Sequence, residues 1–501
     1  MGNSFLNALQ ANDNYKRTEN GALAHKSTLH KVYDMFALGA AYRSRSDADC
    51  ILLFKNAFEA DPLTALKCLF YIADCRGGQG ERRYFRVCFN WLCKNYPEVA
   101  AKNLAIVPEY RRWDDLIYST IGTPVQAQAL AIIKEQLNLD ITCKAPSLLG
   151  KWMPSENASS KETKRVANIV RTALGLTHRE YRKVLTELRK RINVLERLMS
   201  QNRWEEIEFD KIPSKAGLIY KNAFACRDLI ATKYENFAKD KTTKVNASTL
   251  YPYDVVEKAI NCRYGWGVNT NVDRAMIEKY WENLPDYFDG EECSLMCVVD
   301  TSGSMHGRPI NVAISLGMYC AERLNGPFKD HYISFASRPQ LIKVQGTDFV
   351  DKVERIYRTN LVDNTNLTAV FDLLKRTALQ SDVNAADVPD TIVVISDMEI
   401  DSGASGYSWR NGDRFTSWTR SNAQTEMEKV RADWAAVGLK LPRLVYWNVD
   451  ARQDTILDLG PDVTYVSGCS PVIFQQVVTG KTGIDLMLSK LNTERYEAVT
   501  V

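Results

Sequence analysis

Three stretches of this chain carry oxygen-bearing side chains at spacings that suit a hard metal ion. The first is Asp300-Thr-Ser302-Gly-Ser304, which follows the apolar run SLMCVVD (294–300). One carboxylate and two hydroxyls fall there on a tight turn, with Gly303 permitting the bend. Such oxygens are the ligands Mg²⁺ prefers. The second is Asp363-Asn-Thr365-Asn-Leu-Thr368, which opens a helix and supplies a further hydroxyl. The third is Asp397, at the end of the apolar run TIVVISD (391–397). The alternative use of these groups is local, since serine, threonine and aspartate cap turns and helix N-termini.

A second set is basic. Residues 161–198 carry eleven Lys/Arg against four Glu. Lys164, Arg165, Arg182, Lys183, Arg189 and Lys190 are the candidates for a polyanion-facing surface, against the plainer reading of a solvated helix face. Gly77, Gly78 and Gly80 break a helix ahead of Arg82, Arg83 and Arg86, and with Arg76 these arginines could hold a phosphate at the next helix start. The alternative pairs them with Asp74, Glu81 and neighbouring acids. Arg111, Arg112, Asp114 and Asp115 around Trp113 read as a lock between helices. Tyr181, Trp204 and Tyr220 lie near basic residues and could stack bases, or belong to the core.

No catalytic set is visible. His25, His30, His178 and His331 have no partnered nucleophile, and His306 reads as a surface residue beside the Ser304 loop. GGQGER is not a Walker loop. A carboxylate pair could suggest metal-assisted hydrolysis, but the hydroxyl-rich set leaves few groups to act as general base. A binding protein, not an enzyme, is expected.

The elements that must position these residues change character near residue 290. Before it, apolar residues recur at helical spacing over 29–41, 48–60, 62–74, 82–94, 97–107 and 178–200, with short Asp-, Pro- or Gly-bearing connections. The polar stretch 240–256, with Pro252, reads as a loop or linker. After it, apolar strands (294–300, 331–337, 341–344, 391–397, 441–450, 463–468) alternate with helices (308–324, 367–379, 424–436, 471–478). That alternation predicts a mostly parallel sheet covered on both faces. The fold class is thus α plus α/β, with a helical-repeat domain over 1–290 and an α/β domain over 291–501. Charge divides likewise, 43 Lys/Arg against 34 Asp/Glu before the boundary and 21 against 27 after it. The overall net of +3 excludes a globally polybasic protein. None of the twelve cysteines forms a CxxC pair, and many lie in apolar runs, as expected of reduced, buried thiols in a cytoplasmic setting. No run approaches the roughly 20 apolar residues of a membrane span. The first residues lack a signal-peptide core, and Leu6 stands where a myristoylation signal wants Ser or Thr.

Asp-x-Ser-x-Ser, a later threonine and an aspartate after an apolar strand together resemble the metal-ion-dependent adhesion site of von Willebrand factor A domains, a Rossmann-like fold. The resemblance implies Mg²⁺, or another divalent cation, bound directly by Ser302 and Ser304, with Asp300, Thr365 and Asp397 binding directly or through water. One position is left for a partner's carboxylate. Asn364 stands where many relatives have glycine, and Thr368 is a second candidate for the threonine. The segments ADCRGGQGERRYF (73–85), RRWDDL (111–116), LLGKWMPSENASS (148–160), LYPYDVV, ISDMEID (395–401) and LVYWNVD occur in the order seen in Ro/TROVE-like proteins. The branch they resemble is known as a domain of unknown function in viruses, phages and plants. That resemblance implies a HEAT-like α-solenoid, ring-forming in Ro proteins, and binding of small structured or misfolded RNA. Two functions are therefore expected: RNA binding on the basic helical surface, and an adaptor that grasps a partner carboxylate through the cation, for example with a MoxR-type AAA+ ATPase. A monomer that does not engage membranes is expected in either case.

Overall fold

The computed structural model of the chain describes residues 14–263, 270–290, 292–336, 338–359, 365–380, 383–401 and 425–501. The reading of the first residues, Asp363, Asn364, Ser337 and Gln424 therefore lies outside the described residues.

The described residues form eight strands: β1 (Tyr15–Arg17), β2 (Leu23–His25), β3 (Leu295–Asp300), β4 (His331–Phe335), β5 (Leu341–Lys343), β6 (Thr391–Ser396), β7 (Arg443–Asn448) and β8 (Val463–Ser467). β1 and β2 pair as a hairpin, and the other six form one sheet in the order β5-β4-β3-β6-β7-β8. All its pairings are parallel except β4 with β5. β3, β6 and β8 are buried along their whole length, as strands covered on both faces must be. Among the parallel strands the spatial order is second-first-third-fourth-fifth, a doubly wound sheet whose order reverses between β3 and β6. Ligands of such sheets bind at the carboxyl ends of the strands flanking that reversal. β3 and β6 are the strands that deliver Asp300 and Asp397.

The chain forms two compact units that do not break at a single point. One comprises Met1–Arg45, Tyr251–Tyr264 and Pro285–Lys490; the other comprises Ser46–Leu250, Gly265–Leu284 and Leu491–Val501. The boundary expected at 290 is thus crossed by three excursions, each with a packing reason. The helix Lys31–Leu38 buries Val32, Met35, Phe36 and Leu38 and packs against β7 and β8. The helix Pro252–Arg263 packs on the sheet unit's helices Arg308–Arg323 and Phe349–Thr359. The C-terminal segment returns to the helical unit, where Arg495 Nη2 and the Tyr496 hydroxyl donate to the buried Asp74 carboxylate at 2.7 and 3.1 Å.

In the helical unit successive helices pack on one another: Asp47–Ala60 on Pro62–Ala73, that on Arg82–Asn95, and that in turn on Pro97–Asn103 and Trp113–Thr120. The expected helix 178–200 is two, His178–Arg191 and Leu195–Ser200, because Asn193 adopts the left-handed region (φ 50°). The expected linker 240–256 ends in a helix, since Pro252 is its first residue, where a missing N–H costs nothing. The helix Phe349–Thr359 and the β1–β2 hairpin were not expected. Seven cysteines are buried and all twelve are free thiols. Among the described residues no helix is long and apolar enough to cross a membrane.

Gly317 sets how closely the helix Arg308–Arg323 lies on β3. A Cβ there would stand 2.4 Å from Val299 Cγ2, on a branched side chain in a packed core. Gly317→Ala should therefore cost about 1–3 kcal/mol, the usual penalty of overpacking, read as a lower denaturant midpoint of the full chain. An unchanged midpoint would show that helix and strand have room to part.

Candidate functional site

The register of β3 and β6, with Val299 opposite Ile395, places the ends of these strands side by side. Asp300 and Asp397 are both fully buried there. The Ser302 amide donates to Asp300 Oδ1 at 2.9 Å, and the Ser396 hydroxyl donates to Asp300 Oδ2 at 2.6 Å. Burial, and then the neighbouring Asp397 carboxylate, push the Asp300 carboxyl up to about 7; the Ser396 and Ser302 hydrogen bonds pull the other way.

The Ser302 and Ser304 hydroxyls lie 2.9 Å from one another. Neither behaves as a plain cap: Ser302 precedes the 3₁₀ turn Gly303–Met305 without a capping side-chain bond, and Gly307 precedes the long helix. Two ligands on adjacent corners of an octahedral Mg²⁺ shell, each about 2.0–2.1 Å from the ion, stand about 2.9 Å apart. The hydroxyl pair thus has the spacing of a cation's edge, beside two buried carboxylates, and the donor set fits a hard divalent ion. Among the described residues no group of three or more His, Cys, Asp or Glu is arranged to hold a metal, so any site here depends on hydroxyls.

Thr365 is buried, and its carbonyl accepts the amide of Asp401, four residues beyond Asp397, at 2.9 Å. Asn366, not Thr365, caps the following helix by accepting the Ala369 amide at 2.9 Å. The Thr368 hydroxyl is committed to Glu426 Oε2 at 3.2 Å.

Sequence reasoning missed the groups that neutralise Asp397. Its Oδ1 accepts the Glu399 amide at 3.1 Å, and its Oδ2 accepts Arg452 Nη2 at 2.7 Å. Arg452 Nη1 lies 3.1 Å from Glu19 Oε2. Glu19 belongs to the turn between β1 and β2, which is fastened over the loop after β6. The Glu19 amide donates to Glu399 Oε2 at 2.6 Å, Thr18 Oγ1 to the Ile400 carbonyl at 2.7 Å, and Asn20 Nδ2 to the Glu399 carbonyl at 2.6 Å. The one available signal was position: Arg452 follows an apolar strand, as Asp397 does. Glu19 lies far away in sequence and offered none.

The basic candidates divide. Arg82 and Arg86 each donate Nε to Asp115 Oδ1 at 2.6 Å and bind Asp114 through Nη2. Arg112 is bidentate on Asp114 at 2.9 and 3.0 Å, and Arg111 Nε reaches Asp115 Oδ2 at 3.2 Å. The expected lock between helices exists, and it captures Arg82. Arg83 binds Asp47, and Arg165 binds Glu162 at 2.6 Å. Arg189 is structural, donating to the Gly150 and Met153 carbonyls at 2.9 and 3.1 Å. Arg76 is exposed and reaches the Glu109 carbonyl at 3.3 Å. Lys164, Arg182, Lys183 and Lys190 are exposed and form no ion pair among the described residues. Tyr181 and Trp204 are buried, the Tyr181 hydroxyl donating to the Pro154 carbonyl at 2.8 Å, so neither offers a stacking face. The Tyr220 hydroxyl points to Glu196 Oε1 at 3.4 Å.

Comparison with known proteins follows the same two-part division. Residues 18–114 and 151–288 match a family described as a domain of unknown function, DUF2828. Residues 294–496 match a second family with the same description, DUF7788. The chain is 27% identical over 488 residues to the uncharacterized protein L728 of Acanthamoeba polyphaga mimivirus, covering 89% of this chain and 81% of that one. These matches fit the expected branch of domains of unknown function and carry no Ro or von Willebrand factor A description.

Asp115 offers a stability test of the lock. Burial raises its pKa, but Arg111, Arg86 and Arg82 together overcome this and hold the carboxyl below its ordinary range. Its contribution is therefore complete above the unfolded value of about 4 and is lost as pH falls through the folded one. Asp115→Asn should cost on the order of 3 kcal/mol near neutral pH, and the gap to wild type should narrow in acid. A constant gap from neutral pH to about pH 3 would contradict the assignment.

Proposed function

We propose that the α/β unit is a divalent-cation-dependent binding module, held ready by Asp300, Ser302, Ser304, Thr365 and Asp397, and that the protein acts by binding rather than by catalysis. The observation that carries this reading is the hydroxyl pair 2.9 Å apart beside two buried carboxylates at the reversal of the sheet. A bound Mg²⁺-class ion would neutralise the carboxylates and offer a coordination position to a carboxylate of a protein partner, a MoxR-type AAA+ ATPase being one class to try. The chain's own residues prepare for this. Ser396 and the Ser302 amide fix Asp300, and Arg452 occupies Asp397 Oδ2 until a stronger cation competes.

A calorimetric titration with Mg²⁺ or Mn²⁺ tests the reading. Saturable binding to the full chain is expected, with stabilisation of about 2.7 kcal/mol at a hundredfold excess over Kd. Ser302→Ala with Ser304→Ala should abolish it, and Arg452→Ala, which frees Asp397, should tighten it. Binding that is absent, or indifferent to the serine pair, would remove the proposal.

A second reading, RNA binding by the helical unit, is favoured by one observation. On the helix His178–Arg191, Arg179, Arg182, Lys183 and Lys190 recur at three-, four- and seven-residue steps, so they share one face. All four are exposed and form no ion pair among the described residues. Reversing Arg182, Lys183 and Lys190 to Glu should weaken single-stranded RNA binding. Each lost phosphate contact should reduce the slope of log affinity against log salt by about 0.7. Filter binding at several salt concentrations gives that slope, and an unchanged slope would discard the reading.

A further inference from the structure

The lock around Asp114 and Asp115 contains more positive charge than it needs. Four guanidinium groups, Arg82, Arg86, Arg111 and Arg112, meet two carboxylates. No third carboxylate bonds any of the four among the described residues. The cluster is only partly wet: the arginine side chains are 33, 27, 6 and 31% exposed, and the carboxylates 13 and 0%. An excess of two positive charges is costly in such surroundings unless an anion answers it.

Three guanidinium donors are left over for an anion. Asp114 Oδ2 receives Nη2 of Arg82, Arg86 and Arg112, and its Oδ1 receives Arg112 Nε. Asp115 Oδ1 receives Nε of Arg82 and Arg86, and its Oδ2 receives Arg111 Nε. Arg111 spends Nη1 on the Ala73 and Gly80 carbonyls. The Nη1 groups of Arg82, Arg86 and Arg112 hydrogen-bond nothing among the described residues. Two of these guanidiniums are also held from behind by rings, Arg112 over Trp152 at 4.0 Å and Arg86 over Tyr118 at 4.6 Å. Groups fixed in this way lose little freedom when a ligand arrives.

We propose that Arg82, Arg86 and Arg112 form a binding site for a phosphate dianion, either free orthophosphate or a phosphate monoester. A monoester carries about −1.5 to −2 charge near neutral pH and three strong acceptor oxygens, which match the excess of two charges and the three unused Nη1 groups. A phosphodiester, with one charge, matches neither. The inference rests on neither reading of function given above.

The test uses the full chain and four probes at matched ionic strength in chloride: orthophosphate, a nucleoside 5′-monophosphate, and one short RNA with a 5′-phosphate or a 5′-hydroxyl. Calorimetry should show one saturable site for orthophosphate, weakened at least tenfold by Arg82→Gln with Arg112→Gln and unchanged by Lys241→Gln. Because the double variant could unfold, modification of wild-type arginines by phenylglyoxal, mapped by mass spectrometry, provides a second readout. Phosphate should protect Arg82, Arg86 and Arg112 and leave Arg182 reactive. At least tenfold preference for the 5′-phosphorylated RNA identifies a chain end as ligand, and equal affinity for orthophosphate and the mononucleotide identifies a small phosphate; both support the site. No saturable binding of any phosphate, unchanged affinity in a folded double variant, or protection elsewhere would overturn it.

Discussion

Asp300 and Asp397 are buried side by side at the ends of adjacent parallel strands, and everything around them answers the repulsion this creates. Ionised carboxylates out of water are costly unless donors or cations meet them. The Ser396 hydroxyl, the Ser302 and Glu399 amides and the Arg452 guanidinium supply that compensation. Even so, burial first, and the neighbouring Asp397 carboxylate second, hold Asp300 well above the ordinary carboxylate range. Met398, with φ +67°, and the bonds of Glu19 and Asn20 to Glu399 shape the loop that keeps the pair in place. The proposed cation would sit beside this same pair, on the Ser302 and Ser304 hydroxyls.

The helical unit shows an imbalance of the opposite sign. Its arginine cluster holds two carboxylates with four guanidiniums, and an exposed face of the helix His178–Arg191 carries cations with no acid among the described residues to meet them. In both units the unusual feature is not a charge but a shortage of its opposite. A solvated surface charge would need no partner. The Asp300–Asp397 edge and the arginine cluster are partly or wholly removed from water, so there the shortage has consequences for binding.

Much of this was readable in the sequence. Continuous apolar runs such as TIVVISD could only be buried strands, and their alternation with helices fixed the parallel sheet and the edge at which Asp300 and Asp397 meet. The pairing of RRWDD with neighbouring helices was also legible, because charges that cancel around a tryptophan suit packing better than exposure. What failed depended on distance or on single backbone angles. Arg452 and Glu19 reach the site through folding alone, and no local pattern marks them. The helix 178–200 breaks because Asn193 tolerates a left-handed turn, which the apolar stripe on either side conceals. Arg189 looked like its solvent-facing neighbours, but one helical step was enough to aim it at the Gly150 and Met153 carbonyls.

The cation proposed for the sheet edge is open to a direct test. Anomalous diffraction from crystals of the full chain soaked in Mn²⁺ tests it most directly. One strong peak should appear in contact with Ser302 Oγ and Ser304 Oγ, with Arg452 displaced from Asp397. Manganese bound only elsewhere, with Arg452 still on Asp397 and the serine hydroxyls still bonded to each other, would contradict it.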